Sequence, residues 1–307
     1  MKRKVLIFYG SYGAGHLSAA RSIKQYIDAN YPDVETKLVD CIEYISKSYN
    51  KITVKTYDNI TRKMPIAWKG VYYSAEKWPI TKITSATNKI FSHKLNKLTQ
   101  EFNPDLVIST HFFASEMCAV LKKKGKLNCK IATVMTDYAP HKQWLIHHEL
   151  IDYFFVAHAG MKLALEENGV EPSKIYATGI PLSHKFLLNY NKSETLHEFG
   201  LDDNKTTILF FAGGSSHIAR GTSSNIFYSL IESFPNIQAL TITGKSPKLK
   251  KEFDELVESK HRENTIKVLP FTDKVPELMH VSDIVITKPG GLTTTESLAS
   301  RFTNNCY

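Results

Sequence analysis

VLIFYGSYGAGH, residues 5–16, runs from an apolar stretch through a glycine-rich turn to a histidine. A helical pattern follows from about His16 to Asn30. Strand, glycine loop and helix are the opening of an open α/β sheet. Glycines let backbone approach a ligand closely, and the helix N-terminus offers N–H groups to anions. Outward from this unit the pattern repeats. TKLVD (36–40), DLVIST (105–110), KIATVMT (130–136), YFFVAH (153–158) and KIYATG (174–179) read as strands. They are short and rich in β-branched residues, as buried parallel strands should be. Beyond Gly179-Ile180-Pro181 comes a polar stretch, and then a second series. This comprises TTILFFAGG (206–214), IQALTIT (237–243), TIKVLPF (265–271) and DIVITK (283–288), with helical patterns at about 220–234, 247–262, 275–281 and 291–300.

Strands alternating with helices predict parallel sheets with helical crossovers. A glycine loop opens each half, so the fold class expected is α/β with two Rossmann-like domains, 1–183 and 184–307. Residues 41–101 read as mostly helix and loop, with Ile83, Ile90, Phe91, Leu95, Leu98 and Phe102 close to helical spacing. The helix after the fourth strand of the second half stops near Ser300-Arg301, and FTNNCY has no helix signature. The second domain is therefore expected to be incomplete, its sheet ending in an open apolar edge.

The chain has 307 residues, of which 42% are hydrophobic and 22% charged, an ordinary globular composition. Cys41, Cys118, Cys129 and Cys306 lie far apart with no C-x-x-C pair, which argues against a zinc ribbon or disulfide scaffold. No apolar run approaches the roughly 18 residues of a membrane span, and the first strand is too short for a signal peptide. The expected location is cytoplasmic. The net charge of +9 is unevenly spread. Residues 44–97 hold 11 basic and two acidic side chains, among them Lys63, Lys69, Lys77 and Lys82, interleaved with Trp68, Trp78 and several tyrosines. Such a patch suits a polyanion, either nucleic acid or an anionic membrane surface. A plain solvated face is the simpler alternative.

Four loops carry the candidate chemistry. Gly10-Ser11-Tyr12-Gly13-Ala14-Gly15-His16 lacks the Lys and Ser/Thr of a Walker A loop. Its G-x-x-G-x-G order departs from the dinucleotide G-x-G-x-x-G, although Asp40 ends the second strand where a ribose-binding acid would sit. A nicotinamide-dependent oxidoreductase therefore stays open. The other reading makes His16 the purpose of the loop, as a neutral general base at a helix N-terminus. TDYAPHKQW (136–144) follows a strand end, so Asp137, His141 and Trp144, with His111 after DLVIST, are placed to meet a substrate. Loop capping and packing are the plainer roles for Asp137 and Trp144. His141, His147 and His148 do not make a convincing zinc set, and no metal is expected. Gly213, Gly214 and Ser215 after the first strand of the second half suit a diphosphate. Gly290, Gly291, Thr293 and Glu296 open the last helix, with the carboxylate positioned for ribose hydroxyls.

Taken together, GSYGAGHLSAA (10–20), PDLVISTH (104–111), TDYAPHKQW (136–144), TGIPLSHKF (178–186), FAGGSS (211–216) and SDIVITKPGGLTTTESLAS (282–300) resemble one glycosyltransferase family. It includes plant monogalactosyldiacylglycerol synthases and bacterial processive diacylglycerol glucosyltransferases, within glycosyltransferase family 28. The resemblance implies a GT-B fold, two facing Rossmann-like domains with the nucleotide sugar held mainly by the second. It implies an inverting enzyme moving a hexose, glucose favoured over galactose, from a UDP-sugar to diacylglycerol. His16 matches the base position, Gly213, Gly214 and Ser215 the diphosphate loop, Phe271 the segment where backbone meets uracil, and Glu296 the ribose-binding acid. Gly13, Gly15, His111, Asp137, His141 and Trp144 would line the acceptor cleft. Lys63, Trp68, Lys69, Lys77, Trp78 and Lys82 would dock the chain peripherally on the inner face of the cell membrane. No resident cofactor, metal or nucleic-acid partner is expected. Family members usually continue past SLAS into a loop that contacts the donor sugar, so a non-catalytic chain that binds UDP-sugar or lipid is the alternative.

Overall fold

Arg3–Tyr9 forms β1, whose central Val5, Leu6, Ile7 and Phe8 are buried on both faces of a sheet. The computed structural model describes residues 2–11, 14–45, 93–213, 220–288 and 290–302. Gly13, Gly214, Ser215 and the positions Lys63, Trp68, Lys69, Lys77, Trp78 and Lys82 lie outside the described residues. The chain divides into two compact units between Ser183 and His184.

The first unit runs β1, α1 (Ala14–Asn30), β2 (Val34–Asp40), α2 (Cys41–Ile45), α3 (93–102), β3 (Leu106–Ser109), α4 (Phe112–Lys123), β4 (Lys130–Val134), β5 (Tyr153–Val156), α5 (Ala159–Glu167) and β6 (Ile175–Ala177). The six strands are parallel in the order β2-β1-β3-β4-β5-β6. β2 and β3 lie on opposite sides of β1. The carboxyl ends of β1 and β3 therefore flank the topological switch point, where open α/β sheets bind ligands. One core face joins Leu6, Phe8, Met117, Ile131 and Phe154, and the other joins Val5, Ile7, Ala20 and Val134.

The second unit runs α6 (Lys192–Glu198), β7 (Thr207–Phe211), α7 (Arg220–Ser233), β8 (Gln238–Ile242), α8 (Pro247–Ser259), β9 (Ile266–Leu269), α9 (Val275–Val281), β10 (Ile284–Ile286) and α10 (Gly291–Phe302). Its strands are parallel in the order β10-β7-β8-β9, so the switch point falls between β7 and β10. Phe227 of α7 stacks on Phe253 of α8 at 3.9 Å, pinning both helices to one face. Asp283 accepts from the Thr207 amide at 2.8 Å and from Lys192 at 3.1 Å, which ties β10 to β7 and α6. Among the described residues β10 pairs only with β7, and its Ile284 is half-exposed.

All ten strands fall where the alternation of apolar runs and helical patterns expects them. The sequence pattern does not mark α4, seven of whose twelve residues, Ala114 to Ala119 and Leu121, are buried. A helix buried nearly all round shows little polar stripe to reveal its period.

Candidate active site

The glycine turn after β1 delivers His16 into the first turn of α1, and the β3–α4 turn delivers Thr110 and His111 to the same place. His16 Nδ1 lies 2.6 Å from the Thr110 carbonyl oxygen and 3.0 Å from Thr136 Oγ1. A carbonyl only accepts, so Nδ1 carries the proton and the lone pair sits on Nε2. Thr110 Oγ1 donates back to the His16 carbonyl at 2.8 Å, so two reciprocal bonds clamp the start of α1 onto the end of β3. Burial lowers the His16 pKa, with the Thr110 bond and the Asp137 carboxylate pulling against it. The net effect is a neutral imidazole with a basic Nε2, the state a general base needs.

His111 stands edge-on to His16, ring centroids 4.7 Å apart. It is buried and caps α4 by accepting the Phe113 amide on Nδ1 at 3.2 Å. Burial holds its pKa well below the ordinary histidine value, so it is neutral too. Gly10 makes room for it: a Cβ there would fall 2.8 Å from His111 Cδ2. Phe112 stacks on His111 at 4.4 Å and meets His141 and Trp144 edge-on. Asp137 Oδ2 accepts the Trp144 indole N–H at 3.2 Å and lies 3.9 Å from His141 Nε2. The structure thus brings His16, His111, Asp137, His141 and Trp144 together. His111 and Trp144, each 2% exposed, are packed inside, while Asp137 and His141 keep exposed surface. Gly15 lies in the first turn of α1 beside His16.

Asp40 has another role than the ribose contact of a nicotinamide enzyme. Its Oδ1 accepts from the Ile42 and Glu43 amides at 3.0 Å, starting α2, and its Oδ2 accepts from Ser11 Oγ. Its carboxylate is spent on local structure, and the oxidoreductase reading loses its acid.

In the second unit, Gly213 follows β7 where backbone crosses backbone. A Cβ there would lie 2.0 Å from the Thr243 carbonyl oxygen, so only glycine fits. Gly290 and Gly291 open α10, and the Thr294 amide donates to Gly290 at 2.9 Å. Thr293 sits in that first turn, leaving helix-start amides directed out of the carboxyl end of β10. Burial raises the Glu296 carboxyl to about 7 and lowers the Lys288 ammonium, so both charges are poorly solvated before any ligand arrives. Phe271, after β9, is 66% exposed. Sequence reasoning passed over three features of these sites. They are the Thr110 carbonyl, the Thr243 carbonyl and Lys245, whose ammonium lies over the Phe271 ring.

Two parallel Rossmann-like sheets, each with its ligand loops at a switch point, define a GT-B-type fold. Solved structures agree. Anabaena HepE in complex with UDP matches with a TM-score of 0.55 at 14% identity, over 98% of this chain and 79% of that one. The UDP-GlcNAc 2-epimerase of Neisseria meningitidis bound to UDP-GlcNAc matches with a TM-score of 0.57 at 17% identity, over 94% and 78%. The family model of monogalactosyldiacylglycerol (MGDG) synthase matches residues 16–182, and that of the glycosyltransferase family 28 C-terminal domain matches 208–302. The processive diacylglycerol beta-glucosyltransferase of Staphylococcus aureus strain JH9 is 33% identical over 299 residues, covering 97% of this chain and 73% of the relative. That of Staphylococcus epidermidis is also 33% identical, over 303 residues. The chain belongs to this glycosyltransferase family and is an enzyme of that class.

Proposed function

We propose that the protein transfers a hexose, glucose favoured over galactose, from a UDP-sugar to the hydroxyl of diacylglycerol with inversion at the anomeric carbon. The observation that carries the reading is the His16 imidazole fixed with its proton on Nδ1 and its lone pair on Nε2. His16 Nε2 takes the acceptor proton as that oxygen attacks the anomeric carbon, and the bond from that carbon to the β-phosphate oxygen breaks. A positioned base typically supplies about 10²–10⁴-fold. The electron pair passes to the diphosphate, held beside the Gly213 turn and by backbone N–H groups at the start of α10, and Glu296 takes the ribose hydroxyls. The relatives' names support the lipid acceptor and the glucosyl group, and the UDP held by fold neighbours supports the donor. No resident cofactor or metal takes part in this scheme.

Diacylglycerol lies in a membrane, and no described helix is long and apolar enough to cross one. The basic, aromatic stretch 44–97 docks the chain on the anionic inner surface, at about 1 kcal/mol per Lys or Arg near it. The test offers labelled UDP-glucose and UDP-galactose separately with diacylglycerol in anionic vesicles. A glycolipid from UDP-glucose is expected. No lipid product from UDP-glucose or from UDP-galactose, with UDP still bound, would leave a binding protein in place of the transferase.

A further inference from the structure

Phe271 is the most exposed large apolar side chain among the described residues. One of its faces is not bare. Lys245 Nζ lies 5.6 Å from the ring centroid. Lys245 leaves the chain at the carboxyl end of β8, directly after Thr243 and Gly244. Those two residues are in close backbone contact with Gly213. The Gly213 amide donates to the Ile242 carbonyl at 3.0 Å, and a Cβ on Gly213 would meet Thr243 O at 2.0 Å and Gly244 N at 3.0 Å. The root of Lys245 is therefore at the Gly213 turn, while its ammonium reaches toward β9.

Five other lysines of this unit are already engaged. Lys192, Lys250, Lys251, Lys260 and Lys274 all hold carboxylates, on Asp283, Asp254, Glu255, Glu232 and Glu198. Lys245 has no ion pair among the described residues, and its side chain is exposed. An exposed cation resting on a phenyl face is held weakly and is available to an anion.

We propose that Lys245 is the side-chain cation for the donor's diphosphate, resting on Phe271 in the free chain and moving to the phosphate oxygens when the nucleotide binds. This rests on the donor reading given above. As the acceptor oxygen bonds to the anomeric carbon and the carbon–oxygen bond to the β-phosphate breaks, the electron pair settles on that phosphate oxygen. Lys245 stays protonated throughout and balances the added charge. The proton released by the acceptor goes to His16. An ammonium is a point-charge donor of three hydrogen bonds, suited to phosphate and poorly suited to telling one base from another.

The experiment titrates UDP and uridine into the full chain and into Lys245→Gln and Lys245→Arg, followed by calorimetry. Since Lys245 is exposed, neither substitution endangers folding. UDP should bind Lys245→Gln about 10–100-fold more weakly, the range of a charge-assisted hydrogen bond. Lys245→Arg should recover most of the loss, and uridine should bind all three chains equally. UDP affinity within twofold of the parent in Lys245→Gln would overturn the assignment. So would an equal loss for uridine, which would place Lys245 at the base. A parent chain that binds no UDP would instead overturn the donor reading itself.

Discussion

His16 Nδ1 lies 2.6 Å from the main-chain carbonyl oxygen of Thr110, ninety-four residues away in sequence. This bond does for His16 what a buried carboxylate does in a catalytic triad. It selects the tautomer and fixes the ring plane. Unlike a carboxylate it adds no full negative charge, so burial dominates and the imidazole stays neutral.

His16→Ala should therefore lower turnover by about 10²–10⁴-fold, while UDP affinity, which depends on the second unit, stays within twofold. In the proposed mechanism the neutral ring is the active form, and its pKa is lowered, so the acid limb of the kcat–pH profile should fall below the ordinary histidine value of 6.5. Asp137 pulls that pKa upward, so Asp137→Asn should move the limb to still lower pH. A limb moving upward in that variant would contradict the geometry.

The pKa of Glu296 is shifted the other way. Its carboxyl is raised to about 7, and a ribose hydroxyl donates best to the ionised form. UDP affinity should thus climb as pH rises through 7, and Glu296→Gln should flatten that dependence. Stability of the free chain follows the other sign. The stabilisation from a folded pKa above the unfolded 4.5 is complete below 4.5 and is lost as pH rises through 7. Thermal melts from pH 5 to 8 should show this slope in the parent and lack it in Glu296→Gln.

Gly10 and His111 should behave as one unit. The Gly10→Ala methyl meets a ring packed between Phe112 and His16, and overpacking of this kind costs about 1–3 kcal/mol. His111→Ala loses a helix cap, worth about 1 kcal/mol. The double variant should be less destabilised than the sum of the two, since removing the ring removes the clash. Strict additivity in denaturant unfolding would argue against the contact.

Asp152 anchors β4 by accepting from Lys122, from Lys130 at 2.9 Å and from the Ile131 amide at 2.9 Å. Burial pushes its carboxyl upward, but these bonds outweigh it and hold the pKa below the usual value. The stabilisation is present above the unfolded value of 3.8 and disappears as pH falls through the folded one. Asp152→Asn should cost about 1–2 kcal/mol at pH 7, discounted for the exposure of Lys130. The difference from the parent should shrink toward pH 3.

What could be read in the amino-acid string divides along physical lines. Apolar runs such as VLIFY and DIVIT show parallel strands because burial on both faces demands them. His16 stands out because it closes a glycine turn. The Thr110 and Thr243 carbonyls are silent in any sequence, since every residue carries that group and only the fold directs it. Asp40 illustrates the opposite difficulty. A carboxylate at a strand end can bind ribose or start a helix, and the two uses are spelled alike until the Ile42 and Glu43 amides are seen on it.

The contact between Gly213 and Thr243 constrains any exchange of loops with a relative. The turns after β7 and β8 are braced against each other with no room for one methyl group, so they behave as a single part. Transplanting the first turn from a relative, and leaving the second in place, joins two halves shaped for different neighbours. A working chimera has to exchange both turns together.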